Sequence, residues 1–156
     1  MIVITSFKES VNIRKYQSFI DANTYSVARF QPKHFDYIQL HFLSAKDVNG
    51  NRLRLTGENK FQTYKSKLLE YYKTQKSDIH NWLKSLRNDD KDLICCWCPY
   101  SNTTKNQMNV FGTFVCHTGI VGQLINVARP DIDVYMDEDH HKFLIDEYKP
   151  YNYKLL

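Results

Sequence analysis

Three kinds of reactive side chain lie in two short stretches of this sequence: thiols, an imidazole and a guanidinium. The first stretch runs from Tyr25 to Phe30 and contains Arg29. The second runs from Asp92 to Arg129, and in it His117 directly follows a cysteine. This stretch holds every cysteine of the chain: Cys95, Cys96, Cys98 and Cys116. A thiolate is a nucleophile, an imidazole exchanges protons near neutral pH, and a guanidinium clamps a phosphate or carboxylate at two points.

The predicted catalytic residues are Cys98, Cys116 and His117. The apolar run Leu93 to Trp97, closed by Pro99, predicts a buried strand, so Cys98 falls at the strand end. Cys116 and His117 fall at the start of a predicted helix. That helix is indicated by apolar residues at helical spacing: Ile120, Val121, Leu124, Ile125 and Ala128. A helix N-terminus favours the thiolate form of a cysteine, and an imidazole beside it can accept or donate a proton.

The predicted ligand-binding residues are Arg29, Thr118 and Gly119. The first turn of a helix offers backbone N–H groups and positive potential to an anion. Gly119 has no side chain, so a ligand or the sheet backbone can approach closely. Arg29 is predicted to end the second strand. Its guanidinium would then face the same edge of a parallel sheet and hold a phosphate or carboxylate.

Each of these residues also has a structural interpretation. Free cysteine is among the most buried residue types, so Cys95 and Cys96 are predicted to pack in the core, and the same role is open for the other two thiols. His117 could cap its helix, and Arg29 could tie the sheet edge. Gly119 could serve helix–sheet packing alone.

We predict no metal and no cofactor. Cys96, Cys98, Cys116 and His117 offer three sulfurs and one nitrogen, a set that zinc accepts. The spacing differs from that of a zinc knuckle, and adjacent Cys and His ligands are awkward. His140 and His141 follow three acids and are predicted to start a solvated helix.

Strands that alternate with helices predict a three-layer α/β domain with a mainly parallel sheet, formed as one domain over residues 1–156. The predicted strands cover residues 2–7, 25–30, 35–43, 93–97 and 131–136. The predicted helices cover 10–23, 61–72, a segment from 77, a segment from 117 and a last one from 137. Asn49 and Gly50 predict a tight turn, and Trp82 is predicted to anchor the core.

Composition excludes several classes of protein. With 156 residues, 42% of them hydrophobic, the chain can bury one core. No apolar run approaches the ~20 residues that span a bilayer, so we predict no membrane partner. Four cysteines in 22 residues make a framework of long-range disulfides implausible and indicate a cytoplasmic location. A net charge of +4 permits a phosphate-bearing partner without requiring one.

Two pieces of the sequence together resemble a known family. Val27 to Pro32 is similar to the Val-Asp-Val-Arg-x-x-Pro run of the uncharacterised proteins called domain of unknown function 488. Leu93 to Pro99, followed by Cys116 and His117, is similar to that family's apolar strand, cysteine, proline and Cys-His-Arg helix start. The Cys-Trp-Cys-Pro form resembles still more a related group, domain of unknown function 4326.

The resemblance implies a compact Rossmann-like α/β fold. It also implies a polar cleft that holds Arg29, Cys98, Cys116 and His117. The chain departs from the family at two positions. Ala28 stands where the family has an acid before its arginine, and Thr118 stands where it has an arginine after Cys-His.

These patterns support three functional hypotheses. The first is a small-molecule domain that processes a nucleotide-like or nucleobase-containing anion. The second is a non-enzymatic protein that binds nucleic acid or another partner, because lysines alternate with aromatic residues in residues 64–67, 71–73 and 148–154. The third is a thiol redox or metal-site protein.

Overall fold

The computed structural model of the protein describes residues 1–53, 61–97 and 117–136. The strands are β1 (Ile2–Ser6), β2 (Asn23–Ser26), β3 (Ile38–Gln39), β4 (Asp92–Cys96) and β5 (Val134–Met136). The helices are α1 (Phe7–Ile13), α2 (Phe61–Thr74), α3 (Lys76–Ser85) and α4 (His117–Ala128). Two short 3₁₀ turns cover Gln17–Phe19 and His41–Leu43. The predicted last helix, from residue 137, lies outside the described residues.

The five strands form one sheet in the order β3-β2-β4-β1-β5, and all these pairings are parallel. β4 lies at the centre, where Ile94 is in register with Ile4 of β1 and Tyr25 of β2. The predicted α/β class with a parallel sheet is therefore confirmed.

Helices cover both faces of this sheet, which makes three layers. α1 packs on one face, where Val3 and Leu93 lie in the same apolar cluster. α2, α3 and α4 pack on the other face, which presents Ile4 and Ile94. The β1-to-β2 connection crosses the sheet in one direction, and the connections into β4 and β5 cross it in the other. If all crossover connections have the same handedness, connections that run in opposite directions must lie on opposite faces of the sheet, as observed.

α1 begins directly where β1 ends. The hydroxyl of Ser6 accepts a hydrogen bond from the backbone N–H of Glu9 at 3.2 Å and caps the helix. The predicted helix over residues 10–23 was therefore wrong in its bounds, since α1 covers Phe7–Ile13 and only a 3₁₀ turn follows. The pattern of Ser6 followed three residues later by Glu9 is a capping signal that marks this start.

The paired helices α2 and α3 form as predicted. Tyr64, Leu68 and Tyr72 are buried at the i, i+4, i+8 spacing of one helical face. Trp82 is 7% exposed and lies among the core residues, so its predicted role as a core anchor is confirmed.

The second and third strands are shorter than predicted. β2 stops at Ser26, although Val27 and Ala28 continue the chain as buried residues. β3 contains only two residues, after which the Gln39 side-chain amide donates to the carbonyls of Ser26 at 3.1 Å and Ala28 at 2.6 Å. The side chain thereby extends hydrogen bonding past the end of the edge strand.

The turn predicted at Asn49 and Gly50 is present. Gly50 has a φ of 81°, which favours glycine. One carboxylate oxygen of Asp47 accepts the backbone N–H groups of Asn49 and Asn51 at 2.9 and 2.8 Å. The pKa of Asp47 is lowered below its ordinary value, and the hydrogen bond from the Asn51 N–H is the largest cause.

Gly122 brings α4 close to the sheet. A Cβ atom at this position would lie 2.5 Å from Cδ1 of Ile4, which is fully buried. We expect Gly122→Ala to lower the free energy of unfolding by about 1–2 kcal/mol, because overpacking outweighs the gain in helix propensity. Urea denaturation measures this loss.

Ile4→Val removes the atom that an added methyl group would meet, so it serves as the matched background. Alone, Ile4→Val should lower the free energy of unfolding by about 1 kcal/mol. In that background we expect Gly122→Ala to cost close to nothing. Additive losses in the double variant would contradict the contact.

Asp92 is a buried carboxyl group at the amino end of the sheet. It is 2% exposed and accepts a hydrogen bond from the Asn23 side-chain amide at 2.9 Å. Burial raises the pKa of Asp92 above its ordinary value, and the bond from Asn23 acts in the opposite direction.

Because the folded pKa of Asp92 is raised, this group stabilises the fold below its unfolded pKa of about 3.9. That contribution is lost as the pH rises through the folded value. We therefore expect Asp92→Asn to gain stability relative to the unaltered protein as the pH rises from acid to neutral. The gain is about 1.4 kcal/mol for each unit by which the pKa is raised. Denaturation across this range measures the difference, and an equal gain in the exposed control Asp133→Asn would refute the assignment.

Candidate functional site at the carboxyl edge of the sheet

The carboxyl ends of β1, β4 and β2 lie side by side at one edge of the sheet. Ser6 and Cys96 are in register there, and the Val27 N–H donates to the Cys95 carbonyl at 3.1 Å. From β1 the chain passes to α1 on one face, while α4, which follows β4, packs on the other. Neighbouring parallel strands whose connections diverge in this way leave a crevice in which α/β proteins bind ligands.

His117 joins this edge to the start of α4. Its Nε2 lies 3.1 Å from the carbonyl oxygen of Val27, and its side chain is buried. A carbonyl only accepts, so Nε2 donates, and in the neutral ring the lone pair resides on Nδ1. This bond brings the helix start to the exit of β2, two residues before Arg29. His117 therefore has a positioning role, and its catalytic role stays a prediction.

Thr118 and Gly119 lie in the first turn of α4, as expected for the start of this helix. Both residues are buried, and Thr118 is 0% exposed. The turn is thus packed against the rest of the fold. Their predicted contacts with a ligand stay predictions.

Arg29 does not end β2 as predicted but lies three residues beyond it, and it is exposed. Its Cζ lies 5.4 Å from the ring centroid of Phe30, a cation–π geometry. No ion pair joins Arg29 to a carboxylate among the residues that the structure describes. Within residues 1–53, 61–97 and 117–136, no carboxylate therefore neutralises this guanidinium.

Trp97 is exposed, contrary to its predicted place in the buried strand. β4 ends at Cys96, and Trp97 folds over the strand end, where its ring meets Phe7 edge-on at 4.9 Å between centroids. Its indole N–H donates to the carbonyl of Phe30. Trp97 is 59% exposed and Phe30 is 70% exposed. We call Arg29, Phe30 and Trp97 the Arg29 platform.

The two aromatic members of the Arg29 platform were not among the predicted site residues. The sequence contained a signal for both, because each is adjacent to a predicted site residue: Phe30 follows Arg29, and Trp97 precedes Cys98. Neighbouring exposed rings form a contiguous apolar patch, which can mark an interaction site where a single exposed ring does not.

The cysteines divide into two groups. Cys95 and Cys96 have 0% and 1% exposure, which confirms that they pack in the core. Cys98 and Cys116 lie outside the described residues, so their predicted catalytic role stays a prediction. Within the described ranges, no cluster of three His, Cys, Asp or Glu residues could hold a metal ion.

The lysine- and tyrosine-rich stretches give little support to nucleic-acid binding. Tyr64, Tyr71 and Tyr72 are all buried in the core, so their rings are not available to stack on bases. The third stretch, residues 148–154, lies outside the described residues.

Comparison with family models, curated proteins and solved structures finds no match for this chain. The resemblance to domain of unknown function 488 and its relative therefore stays a prediction. Among the helices that the structure describes, none has the length and apolar character of a membrane span.

The bond between His117 and Val27 can be tested by substitution. We expect His117→Ala to lower the free energy of unfolding by about 2 kcal/mol, because it leaves the Val27 carbonyl without this donor and opens a void. Exposed His80 on α3 provides the matched control, for which His80→Ala should change stability by less than about 0.5 kcal/mol. Urea denaturation compares the two, and similar small losses would contradict the role given to His117.

Proposed function

We propose that this protein binds a nucleotide-like or nucleobase-containing small molecule at the carboxyl edge of its sheet. The observation that carries the proposal is the Arg29 platform. Arg29, which forms no ion pair with any carboxylate in the described part of the chain, lies over the exposed ring of Phe30. The exposed ring of Trp97 is hydrogen-bonded to the Phe30 backbone, at the same edge of the sheet. A planar base stacks on such rings, and an anionic group pairs with the guanidinium.

The surrounding structure supports a fixed position for these groups. Trp97 is held by its contact with buried Phe7 and by its hydrogen bond to the Phe30 carbonyl. The backbone that leads to Arg29 is tied to α4 through the bond from His117 to Val27. A ligand therefore meets rings and a cation whose backbone is already ordered, which reduces the entropy cost of binding.

The proposal extends to chemistry on the bound molecule. Cys98, Cys116 and His117 are the candidates for nucleophilic attack or proton transfer, for the reasons given by their types and spacing. In this role the described part of the chain would bind and orient the molecule, and a thiol would act on it.

Substitution of Arg29 tests the binding step. We expect adenosine monophosphate to quench the fluorescence of exposed Trp97, and Arg29→Gln to weaken that binding about tenfold through loss of a charge-assisted hydrogen bond. Lys33→Gln, which removes an exposed cation four residues away, is the matched control and should bind as the unaltered protein does. Equal affinities of the two variants would overturn the proposal.

Trp97→Phe checks the reporter, because Trp82, the other tryptophan, is buried in the core. Loss of the signal in Trp97→Phe is expected, and full quenching by the remaining Trp82 would place the ligand elsewhere. The same titration with Cys98→Ser and Cys116→Ser separates binding from chemistry: we expect affinity to persist in both.

Single-stranded nucleic acid is the second candidate, favoured by the same two exposed rings. Oligonucleotides discriminate between the two functions. A nucleic-acid-binding protein should bind longer strands more tightly and lose affinity steeply with salt. A site for a mononucleotide should bind longer strands no more tightly than short ones.

A further inference from the structure

A groove beside α1 lies apart from the Arg29 platform. It is open to solvent, and its volume is about 400 Å³, within the range of about 300–1,000 Å³ that small-molecule sites occupy. The described residues that line it are Ser10, Val11, Arg14, Lys15, Ile20, Phe35 and Tyr37. We call this set the α1 groove.

The charged residues of the α1 groove are both cations. Lys15 donates only to the neutral side-chain oxygen of Asn12 at 3.2 Å, and neither Lys15 nor Arg14 forms an ion pair within the described ranges. Among the described residues no acidic side chain lines the groove, although Glu9 and Asp36 are close to it in sequence. Two cations without a carboxylate favour an anionic occupant.

The remaining wall of the α1 groove is apolar and partly aromatic. Phe35 is 42% exposed and Ile20 is 61% exposed, so both keep apolar surface open to a ligand. The rings of Phe35 and Tyr37 lie 6.0 Å apart, and the Tyr37 hydroxyl contacts that of Ser10 at 3.1 Å. The Ser10 hydroxyl donates its hydrogen bond to the Phe7 carbonyl at 2.8 Å. In the contact between the two hydroxyls, Tyr37 is therefore the donor and Ser10 the acceptor.

The two hydroxyl groups of the groove, those of Ser10 and Tyr37, each donate a hydrogen bond within the fold, and these bonds fix their positions. A ligand has no buried donor to satisfy there and gains by covering apolar surface. Planar rings do this well against Phe35, because aromatic pairs add to the energy of area burial.

We propose that the α1 groove is a second ligand site, independent of the Arg29 platform, for a small aromatic anion. The ring of the ligand packs between Ile20 and Phe35. Its carboxylate or phosphate pairs with Arg14, and Lys15 adds positive charge beside it.

The test uses the full-length protein labelled with ¹⁵N and three probes that share one ring system: 2-naphthoate, 2-naphthyl phosphate and neutral 2-naphthol. We expect both anions to shift the amide signals of Val11, Ile20 and Phe35 in a saturable way. Naphthol should bind about tenfold more weakly, because it lacks the charge-assisted bond. Tighter binding of either anion supports the site and identifies the preferred acid group.

Two variants with a matched control complete the test. Arg14→Gln should weaken both anions about tenfold, while Lys8→Gln, which removes an exposed cation from the same helix outside the groove, should leave affinity unchanged. Phe35→Ala should weaken all three probes several-fold, since it removes the aromatic wall. The spectrum of each variant shows directly whether it is folded.

Three results would overturn the proposal. Naphthol could bind as tightly as the anions, or Arg14→Gln could behave as Lys8→Gln does. Shifts centred on Arg29 and Trp97 instead of the groove would show that the aromatic anion occupies the Arg29 platform and that no second site exists.

Discussion

The central position of β4 between β1 and β2 is the constraint on which the other features depend. Parallel pairing on both sides aligns three strand ends at one edge, and each of these ends continues into a different part of the fold. Because the connections cross the sheet in opposite directions, they occupy opposite faces. The crevice is thus a consequence of strand order, and the residues around it could vary without removing it.

Polar groups are distributed differently at the two ends of the sheet. At the amino end, the Asp92 carboxyl is buried and held by Asn23, an arrangement that serves the fold. At the carboxyl end, Arg29 and two aromatic rings are exposed beside well-packed strands. These rings forgo the free energy of burial, and a contiguous exposed apolar patch of this kind can mark a binding surface.

The sequence predicted the fold class well because its strongest signals are long. The 14-residue and 10-residue helices α2 and α3 keep their apolar spacing throughout, and helices between short strands indicate a parallel sheet. The ends of the strands were harder to predict, because residues stay buried after the pairing between strands has stopped. Val27 and Ala28 are buried although β2 has ended, so the apolar pattern extended the strand to Phe30.

The candidate sites were predictable only in part. Parallel strands bring their ends together, and His117 lies against the carbonyl of Val27, two residues before Arg29. Trp97 was misplaced, since an apolar run does not show which residue leaves the sheet. The α1 groove gave no signal at all: Arg14 and Phe35 lie 21 positions apart and share a surface only through tertiary packing.

The side chain of Gln39 has a consequence for how molecules of this protein meet one another. β3 is an edge strand of two residues, and an edge with open carbonyl groups invites a strand from a second molecule. Here the carbonyl groups of Ser26 and Ala28 already accept hydrogen bonds from the Gln39 amide. A second chain that paired with β2 beyond the end of β3 would have to displace the Gln39 amide, so this part of β2 is closed to it.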